Sequence, residues 1–187
     1  MADADQQFLG LGLHFADGGI LGAVVRFNHD GPGEVLEFPT FDLADHGDIA
    51  ADLHATTRAV ETAIEIYRGR GLKKVGLKAS EPMGLVQSGL SGGVCRRLYL
   101  QGSILEMLSR QGLRPRTFLK QALYAPLGLS VPTRSKGITL DALRKDQPEA
   151  EAALGINFPT TSGGRARALG EARFMALAVA AAAARAQ

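Results

Sequence analysis

Three short segments place a polar or charged side chain at the end of an apolar run, where a reactive group would be held in position. His14 closes the run that begins at Phe8, Lys78 closes Val75-Gly76-Leu77, and Glu171 opens an alanine-rich segment. Sites for two hard divalent cations need carboxylates at such strand and helix ends. Two of the three ends carry an imidazole and an ammonium instead, so only Glu171 has the chemistry that such a site requires.

These residues also have structural interpretations, and two nearby acids widen the choice. Asp17 and Glu81 lie near the same segment ends and are the candidate substitutes for the missing ligands. His14 with Glu171 would hold one ion weakly, and imidazole suits Zn or Mn better than Mg. Without an ion, we expect Lys78 to form a salt bridge, with Glu171 as candidate partner, and His14 to be a hydrogen-bonded strand-end residue. The residues alone therefore predict neither a catalytic residue nor a metal ligand.

Charge is divided unevenly along the chain. Residues 1–65 contain 12 Asp and Glu but 2 Lys and Arg, whereas residues 66–187 contain 19 Lys and Arg but 7 Asp and Glu. Such asymmetry is typical of a nucleic-acid face or of a self-complementary surface, and clustered basic residues provide salt-dependent phosphate binding. Few aromatic residues interleave with them, so base stacking has little support. The basic residues expected to contact nucleic acid are Arg96, Arg97, Arg114, Arg116, Lys120, Arg134 and Lys136.

Length and composition indicate one globular domain. The chain has 187 residues, of which 45% are hydrophobic and 21% are charged, which suits a single large core. Residues 1–7 are polar and acidic and do not resemble a signal peptide, so we expect a flexible N-terminus before a domain over 8–187. No apolar stretch has the length and character of a bilayer span, which favours a cytoplasmic protein without a membrane partner. Cys95 is the only cysteine, which excludes an internal disulfide.

Short turns containing glycine separate three apolar or alternating runs near the start of the chain. The runs cover 8–15, 20–27 and 34–38, and their short connections predict an antiparallel meander. After a helix of about twenty residues, the segment 73–79 is short and β-compatible. A helix between two strands makes a crossover, so this strand should join the sheet parallel to the first strand.

Apolar residues at helical spacing and the usual end signals predict the helices. The first helix is capped by Asp45 or Asp48 and ends near Gly69, and the acids around His54 should lie on its solvated face. A last strand is expected over 114–118. Its expected order with the other elements gives a mixed five-stranded sheet flanked by helices. The expected buried stripe of the first helix is Ile49, Leu53, Thr56, Val60, Ala63, Ile64 and Tyr67. The remaining expected elements are helices over 94–111, 138–145, 148–154 and 165–186, and a helical turn over 119–123.

Taken in this order, the segments resemble the RuvC branch of the ribonuclease-H-like superfamily from about Phe8 to Ala186. Gly12-Leu13-His14 stands where that family has Gly-Ile-Asp at the end of its first strand. Leu77-Lys78 stands where the family has Ile-Glu in its fourth strand. The resemblance implies a ribonuclease-H-like fold with catalytic acids replaced at these two positions.

Two further segments extend the resemblance. Leu119-Lys120-Gln121 is similar to the Val-Lys-Gln segment of the family. In the last helix Ala176-Leu177-Ala178 matches, but Ala172 and Met175 stand at the positions of two acids, with Glu171 one residue out of register. The chain is more similar still to small bacterial proteins of this fold with degenerate catalytic acids.

The resemblance and the charge pattern favour a non-catalytic RuvC-like domain that binds structured DNA or RNA through its basic second half. One alternative is a protein-interaction or dimerisation module without nucleic acid, in which the acidic and basic parts pair between two protomers. Another is a divalent-metal nuclease with a site rebuilt from His14, Glu171 and Asp17 or Glu81. No cofactor is expected for the first two, and Mg or Mn only for the third. A small-residue stripe on the last helix would supply the dimer contact: Ala172, Ala176, Ala180 and Ala184.

Overall fold

The computed structural model describes most of the predicted core of the chain. Outside its described residues lie the helices expected over 138–145 and 148–154, together with Asp17, Glu81, Arg134 and Lys136. For Lys120 and Glu171 the backbone is described but not the side chain. The described residues are 7–16, 19–28, 33–43, 47–79, 92–123 and 164–185.

Within the described residues, a mixed sheet of six strands forms the centre of the fold. The strands are β1 (Phe8–Ala16), β2 (Gly19–Phe27), β3 (Glu34–Glu37), β4 (Thr40–Asp42), β5 (Leu72–Lys78) and β6 (Arg116–Phe118). The order across the sheet is β3-β2-β1-β5-β6. β1, β2 and β3 pair antiparallel, whereas β5 is parallel to β1 and β6 is parallel to β5. The expected meander and the parallel crossover are therefore confirmed.

The sheet has one strand more than the five expected, because the third strand is interrupted. β3 and β4 lie on the same edge of β2, where β3 pairs with residues 24–26 and β4 with residues 19–21. Pro39 lies between them and has no backbone N–H to donate to a ladder. Its carbonyl still accepts from the backbone N–H of Gly22 at 2.8 Å. The proline marks a strand end in the sequence, and only the pairing with β2 shows that the edge continues beyond it.

Helix α1 (Ile49–Gly69) connects β4 to β5. Asp48 is its N-cap, since the carboxylate accepts from the backbone N–H groups of Ala50 at 2.9 Å and Ala51 at 3.3 Å. Beyond the other end, Gly71 has a φ of +93°, in the left-handed region that favours glycine. Local sequence signals therefore fix both ends of this helix.

The buried stripe of α1 differs from the expected one at two positions. Thr56, Val60, Ile64 and Tyr67 are buried as expected, but Ile49 is 50% exposed and its assignment to the stripe is wrong. Asp52, expected on the solvated face, is instead completely buried one turn before Thr56.

Two more long helices, α2 (Gly92–Arg110) and α3 (Gly164–Arg185), complete the described elements, with a 3-10 turn at Lys120–Leu123. α1 and α2 pack together over one face of the sheet, and α3 packs on β1, β2 and β5 over the other. Among the residues with described positions, no helix has the length and apolar character needed to cross a membrane.

Candidate functional site

On the face that α3 covers, four paired residues form a row across the sheet: Ala23, Gly12, Gly76 and Arg116. We call it the small row, after its first three members. Gly12 of β1 pairs with Ala23 of β2 and with Gly76 of β5. At the sheet edge, Gly76 pairs in turn with Arg116 of β6. A Cβ atom at Gly12 would lie 1.9 Å from the backbone oxygen of Ala176, far inside contact distance. The backbone of α3 therefore lies directly on the backbone of the sheet.

The glycines of β1 also show the direction of α3. The position of a Cβ at Gly10 is nearest in α3 to Ala180, and that at Gly12 is nearest to Ala176. The helix therefore runs antiparallel to β1, with its earlier turns over the later residues of the strand. About one turn before Ala176 comes the segment that contains Glu171, which places the backbone of this segment at the level of the end of β1.

Two residues beyond the small row, a second row lies at the carboxyl ends of β1, β5 and β6, beside the start of the antiparallel β2. This end row consists of Leu21, His14, Lys78 and Phe118. His14 pairs with Leu21 and Lys78 pairs with Phe118, while β1 and β5 stay in register up to the preceding residues. His14 and Lys78 are therefore neighbours on adjacent strands. Because side chains alternate along a strand, the end row shares the α3 face with the small row.

His14 and Lys78 are both half-buried. The Nζ atom of Lys78 donates to the backbone oxygen of Ala79 at 2.7 Å. The structure thus brings an imidazole and an ammonium to adjacent strand ends, with the backbone of the Glu171 segment nearby. Since the side chain of Glu171 lies outside the description, the salt bridge from Lys78 to Glu171 stays a prediction.

The donor groups of the end row do not fit a pair of divalent cations. Mg and Mn prefer carboxylate and other oxygen ligands, whereas the end row provides one imidazole and an ammonium that repels cations. Within the described ranges, no three His, Cys, Asp or Glu side chains form a group that could hold a metal ion. Asp17 and Glu81 fall outside those ranges, so the rebuilt metal site stays a prediction.

Arg96, one of the basic residues expected to bind nucleic acid, has a structural partner. Its Nη2 atom donates to Oδ2 of Asp52 at 3.0 Å. Asp52 is completely buried, and a buried carboxylate is tolerated when a cation and hydrogen bonds compensate it. Sequence reasoning missed this contact. The available signal was the spacing of Asp52, four residues before Thr56 on the stripe that faces the core.

The other described basic residues of the expected set lie on two elements. Arg114 and Arg116 are exposed at the β6 edge, and Arg97 is half-buried on α2. Arg116 ends the small row and is therefore one row from the end row on the same face. The backbone of Lys120 follows in the 3-10 turn. The sheet edge at β6 is thus where the described basic side chains come closest to the strand ends.

The acidic and basic halves of the sequence interleave in the fold. An ion pair of 2.8 Å joins Arg70 of the second half to Glu37 of the first, and the Arg96–Asp52 pair joins the halves again. Burial, together with the charge and hydrogen bond of Glu37, raises the pKa of Tyr67 to about 12, against an opposing effect of Arg70. Within the described residues, the acidic and basic parts of the sequence are therefore joined by at least two ion pairs.

The middle of the alanine stripe of α3 lies inside the chain. Ala176 and Ala180 are fully buried against the sheet, where they lie near Gly12 and Gly10. Core packing therefore accounts for these two alanines, whereas Ala172 and Ala184 are half-buried, and the dimer stays a prediction.

Comparison with solved structures identifies the fold. A structure of RuvC from Thermus thermophilus superimposes with a TM-score of 0.63 at 14% identity, covering 96% of this chain and 93% of that chain. The chain has a ribonuclease-H-like fold. T. thermophilus RuvC in complex with a Holliday junction substrate gives a TM-score of 0.62 at 12% identity, with coverage of 95% and 93%. No protein-family model and no curated protein matches the sequence.

The ribonuclease-H-like fold expected from the sequence is thus confirmed, and at these identities the likeness shows the fold alone. In this fold the middle pair of each row, Gly12 with Gly76 and His14 with Lys78, lies on the two central strands, where the antiparallel part of the sheet meets the parallel part. The closer resemblance to small bacterial proteins with degenerate acids stays a prediction, as do the cytoplasmic location and the domain boundary at residue 8.

Proposed function

We propose that this chain is a non-catalytic RuvC-like domain that binds structured nucleic acid through basic side chains of its second half. The observation that carries the proposal is the pair His14 and Lys78 at adjacent strand ends. Metal-assisted hydrolysis requires ligands that hold divalent cations, and an ammonium between the central strands opposes such binding. The chain combines a nuclease fold with a strand-end chemistry that disfavours hydrolysis.

Nucleic-acid binding has two kinds of support. Arg114 and Arg116 are exposed at the β6 edge, and phosphate contacts by such residues supply most of the affinity that does not depend on sequence. T. thermophilus RuvC, which shares the fold, has been solved in complex with a Holliday junction substrate. A branched DNA is therefore the first ligand to test, with linear duplex as comparison.

The binding test measures affinity for a four-way junction and for a duplex by fluorescence anisotropy over a range of salt concentrations. Affinity should fall as salt rises, and Arg114→Gln/Arg116→Gln should reduce the slope of log K against log salt by about two. The matched control is Arg58→Gln/Arg68→Gln, which removes two exposed arginines from α1. Affinity that is undetectable at low salt, or that does not change with salt, would overturn the proposal.

The non-catalytic part is tested by incubation with branched, duplex and hybrid substrates in Mg or Mn. No cleavage is expected. Metal-dependent cleavage that disappears in His14→Ala/Glu171→Ala would establish the rebuilt nuclease site instead. Cleavage that survives this double substitution would contradict both the non-catalytic domain and that rebuilt site.

The same protein preparations also test the alternative function, a dimerisation module without nucleic acid. A monomer in sedimentation at high protein concentration and low salt would exclude the dimerisation module. A salt-sensitive dimer that binds no nucleic acid would favour the interaction module, in which acidic and basic surfaces pair.

A further inference from the structure

The end row combines a cation and a hydrogen-bonding imidazole with apolar neighbours. Lys78 carries an ammonium, a group with three N–H donors, and its Nζ atom donates to the backbone oxygen of Ala79. The imidazole of His14 follows on the adjacent strand. Leu21 is buried on one side of this pair and Phe118 is half-buried on the other. Apolar flanks lower the local dielectric constant, which strengthens the attraction between an ammonium and an anion.

The position of the end row supplies a second argument. The small row has no side chains at Gly12 and Gly76, so α3 lies against the backbone there. Polar side chains begin immediately beyond, at the carboxyl ends of the same two strands. Arg116 lies on the same face, one row away and exposed at the edge. Arg116 at the exposed sheet edge and Lys78 at the strand ends are therefore diagonal neighbours on adjacent strands.

We propose that the end row is an anion site that takes one backbone phosphate of the bound nucleic acid directly, with the ammonium of Lys78 in the place of a divalent cation. This inference rests on the function proposed above. The proposed site differs from a weakened metal site in the charge of the ion that it binds. It takes an anion directly, whereas Lys78 would repel a divalent cation that could bridge the protein to the phosphate. Binding should therefore persist in EDTA, without any divalent cation.

The first test uses inorganic phosphate alone and needs no nucleic acid. Ligand binding to the native state raises Tm, while phosphate also stabilises proteins generally by its exclusion from their surfaces. The variants separate the two effects at ionic strength matched with chloride. Lys73→Gln is the control, because Lys73 is an exposed lysine near the opposite end of the same strand. We expect a larger phosphate-dependent rise in Tm for the wild type and Lys73→Gln than for Lys78→Gln, with the rise retained in Lys78→Arg.

A second measurement uses only the wild-type chain, so it holds even if Lys78→Gln fails to fold. The chain has 4 histidines, whose imidazole protons can be followed by NMR during a phosphate titration. The signals of His14 should shift, whereas those of His54, exposed on α1, should not. Equal behaviour of the two histidines, or an equal phosphate response of Lys78→Gln and wild type, would overturn the anion site.

The nucleic-acid arm separates this inference from the proposed function. With the four-way junction, Lys78→Gln should reduce the salt slope by about one, and Lys73→Gln should not. If Arg114→Gln/Arg116→Gln weakens binding while Lys78→Gln binds like Lys73→Gln, the proposed function stands and the end-row site is wrong. If the wild type binds phosphate at His14 but no nucleic acid, the proposed function fails, and the end row is not a nucleic-acid site.

Discussion

The two faces of the central sheet are built from the same strands but packed in opposite ways. On the α3 face, Gly10 and Gly12 of β1 have no side chain and His14 follows them. On the α1–α2 face, the alternate residues of β1 are large, apolar and buried: Leu9, Leu11, Leu13 and Phe15. β1 is therefore covered on one face by its own large apolar side chains, whereas on the other face the backbone of α3 contacts its glycines directly, beside the buried apolar side chains of β2 and α3.

This difference determines which changes each face tolerates. Large side chains can shift slightly to fill a small void, whereas two backbones in contact cannot separate without moving a whole helix. The α3 face is also the face that carries the end row. Because Gly12 and Gly76 have no Cβ atom, α3 lies close to the sheet. This close approach sets the distance from the backbone of the Glu171 segment to His14 and Lys78. Substitutions that add or remove single groups can test this comparison.

The largest effect is expected for Gly12→Ala. The new Cβ would lie 1.9 Å from the backbone oxygen of Ala176 and 2.5 Å from the backbone nitrogen of Ala180. We expect the free energy of unfolding to fall by at least about 3 kcal/mol, the upper end for overpacked cores, as measured by denaturant titration.

The control for that substitution adds the same methyl group elsewhere. Gly102 is exposed within α2 and has no neighbouring atom within 4 Å of its added Cβ. Gly102→Ala should raise stability by about 0.5–1 kcal/mol through helix propensity. Equal destabilisation by both substitutions would show that close contact between backbones does not hold the α3 face.

Features that depend on local chemistry were predictable from the sequence. The cap at Asp48 and the glycines after α1 are signals within a few residues of the element that they end. The crossover from β1 to β5 follows from strand and helix lengths alone. The polar side chains at His14 and Lys78 are also visible in the sequence, because both stand at the ends of recognisable apolar runs.

Features that depend on distant contacts were not predictable. Gly10, Gly12 and Gly76 are visible as glycines, but only the register of two strands places them together under one helix. Asp52 has a charge that is typical of a solvated helix face, and its burial depends on Arg96, 44 residues away. Local patterns carry no information about such partners, so the site's neighbourhood needed the structure.

The second prediction concerns the polar contact between the helices of the α1–α2 face. Arg96→Met removes the guanidinium that bonds to the buried carboxylate of Asp52, and breaking a fully buried ion pair costs about 3–5 kcal/mol. Because Arg96 retains 23% side-chain exposure, we expect about 2–3 kcal/mol. Asp52→Leu/Arg96→Met should recover most of this loss.

The matched control for Arg96→Met removes an exposed ion pair from the same helix. Arg110 bonds to Glu106 at 2.6 Å, and both side chains are largely exposed. Arg110→Met should cost less than about 0.5 kcal/mol. A loss as large as that of Arg96→Met would contradict the role assigned to burial.

A smaller effect is expected from pH at the junction of α1 and β3. The pKa of Tyr67, raised to about 12 by burial and then by Glu37, favours the protonated phenol in the folded state. Its contribution to stability is therefore present below about pH 10, the ordinary pKa of tyrosine, and is lost as pH rises through 12. The loss should be on the order of 1–2 kcal/mol. The stability advantage of the wild type over Tyr67→Phe, measured by denaturant titration, should therefore shrink across this pH range.

The smallest effect is expected from divalent cations at the end row, which should not change Tm. Binding to the native state raises stability by about 2.7 kcal/mol when the ligand is at 100 times its Kd, so millimolar Mg²⁺ or Mn²⁺ should raise Tm wherever a competent site exists. The ammonium of Lys78 opposes such binding, and the wild-type Tm should not change. His14→Asp/Lys78→Glu places two carboxylates at neighbouring positions on adjacent strands, and the Tm of this variant should rise with added metal. A rise in the wild type that disappears in Glu171→Gln would show instead that this chain holds a metal through substitute ligands. The α3 face would then position a working metal site, and its close packing would serve catalysis.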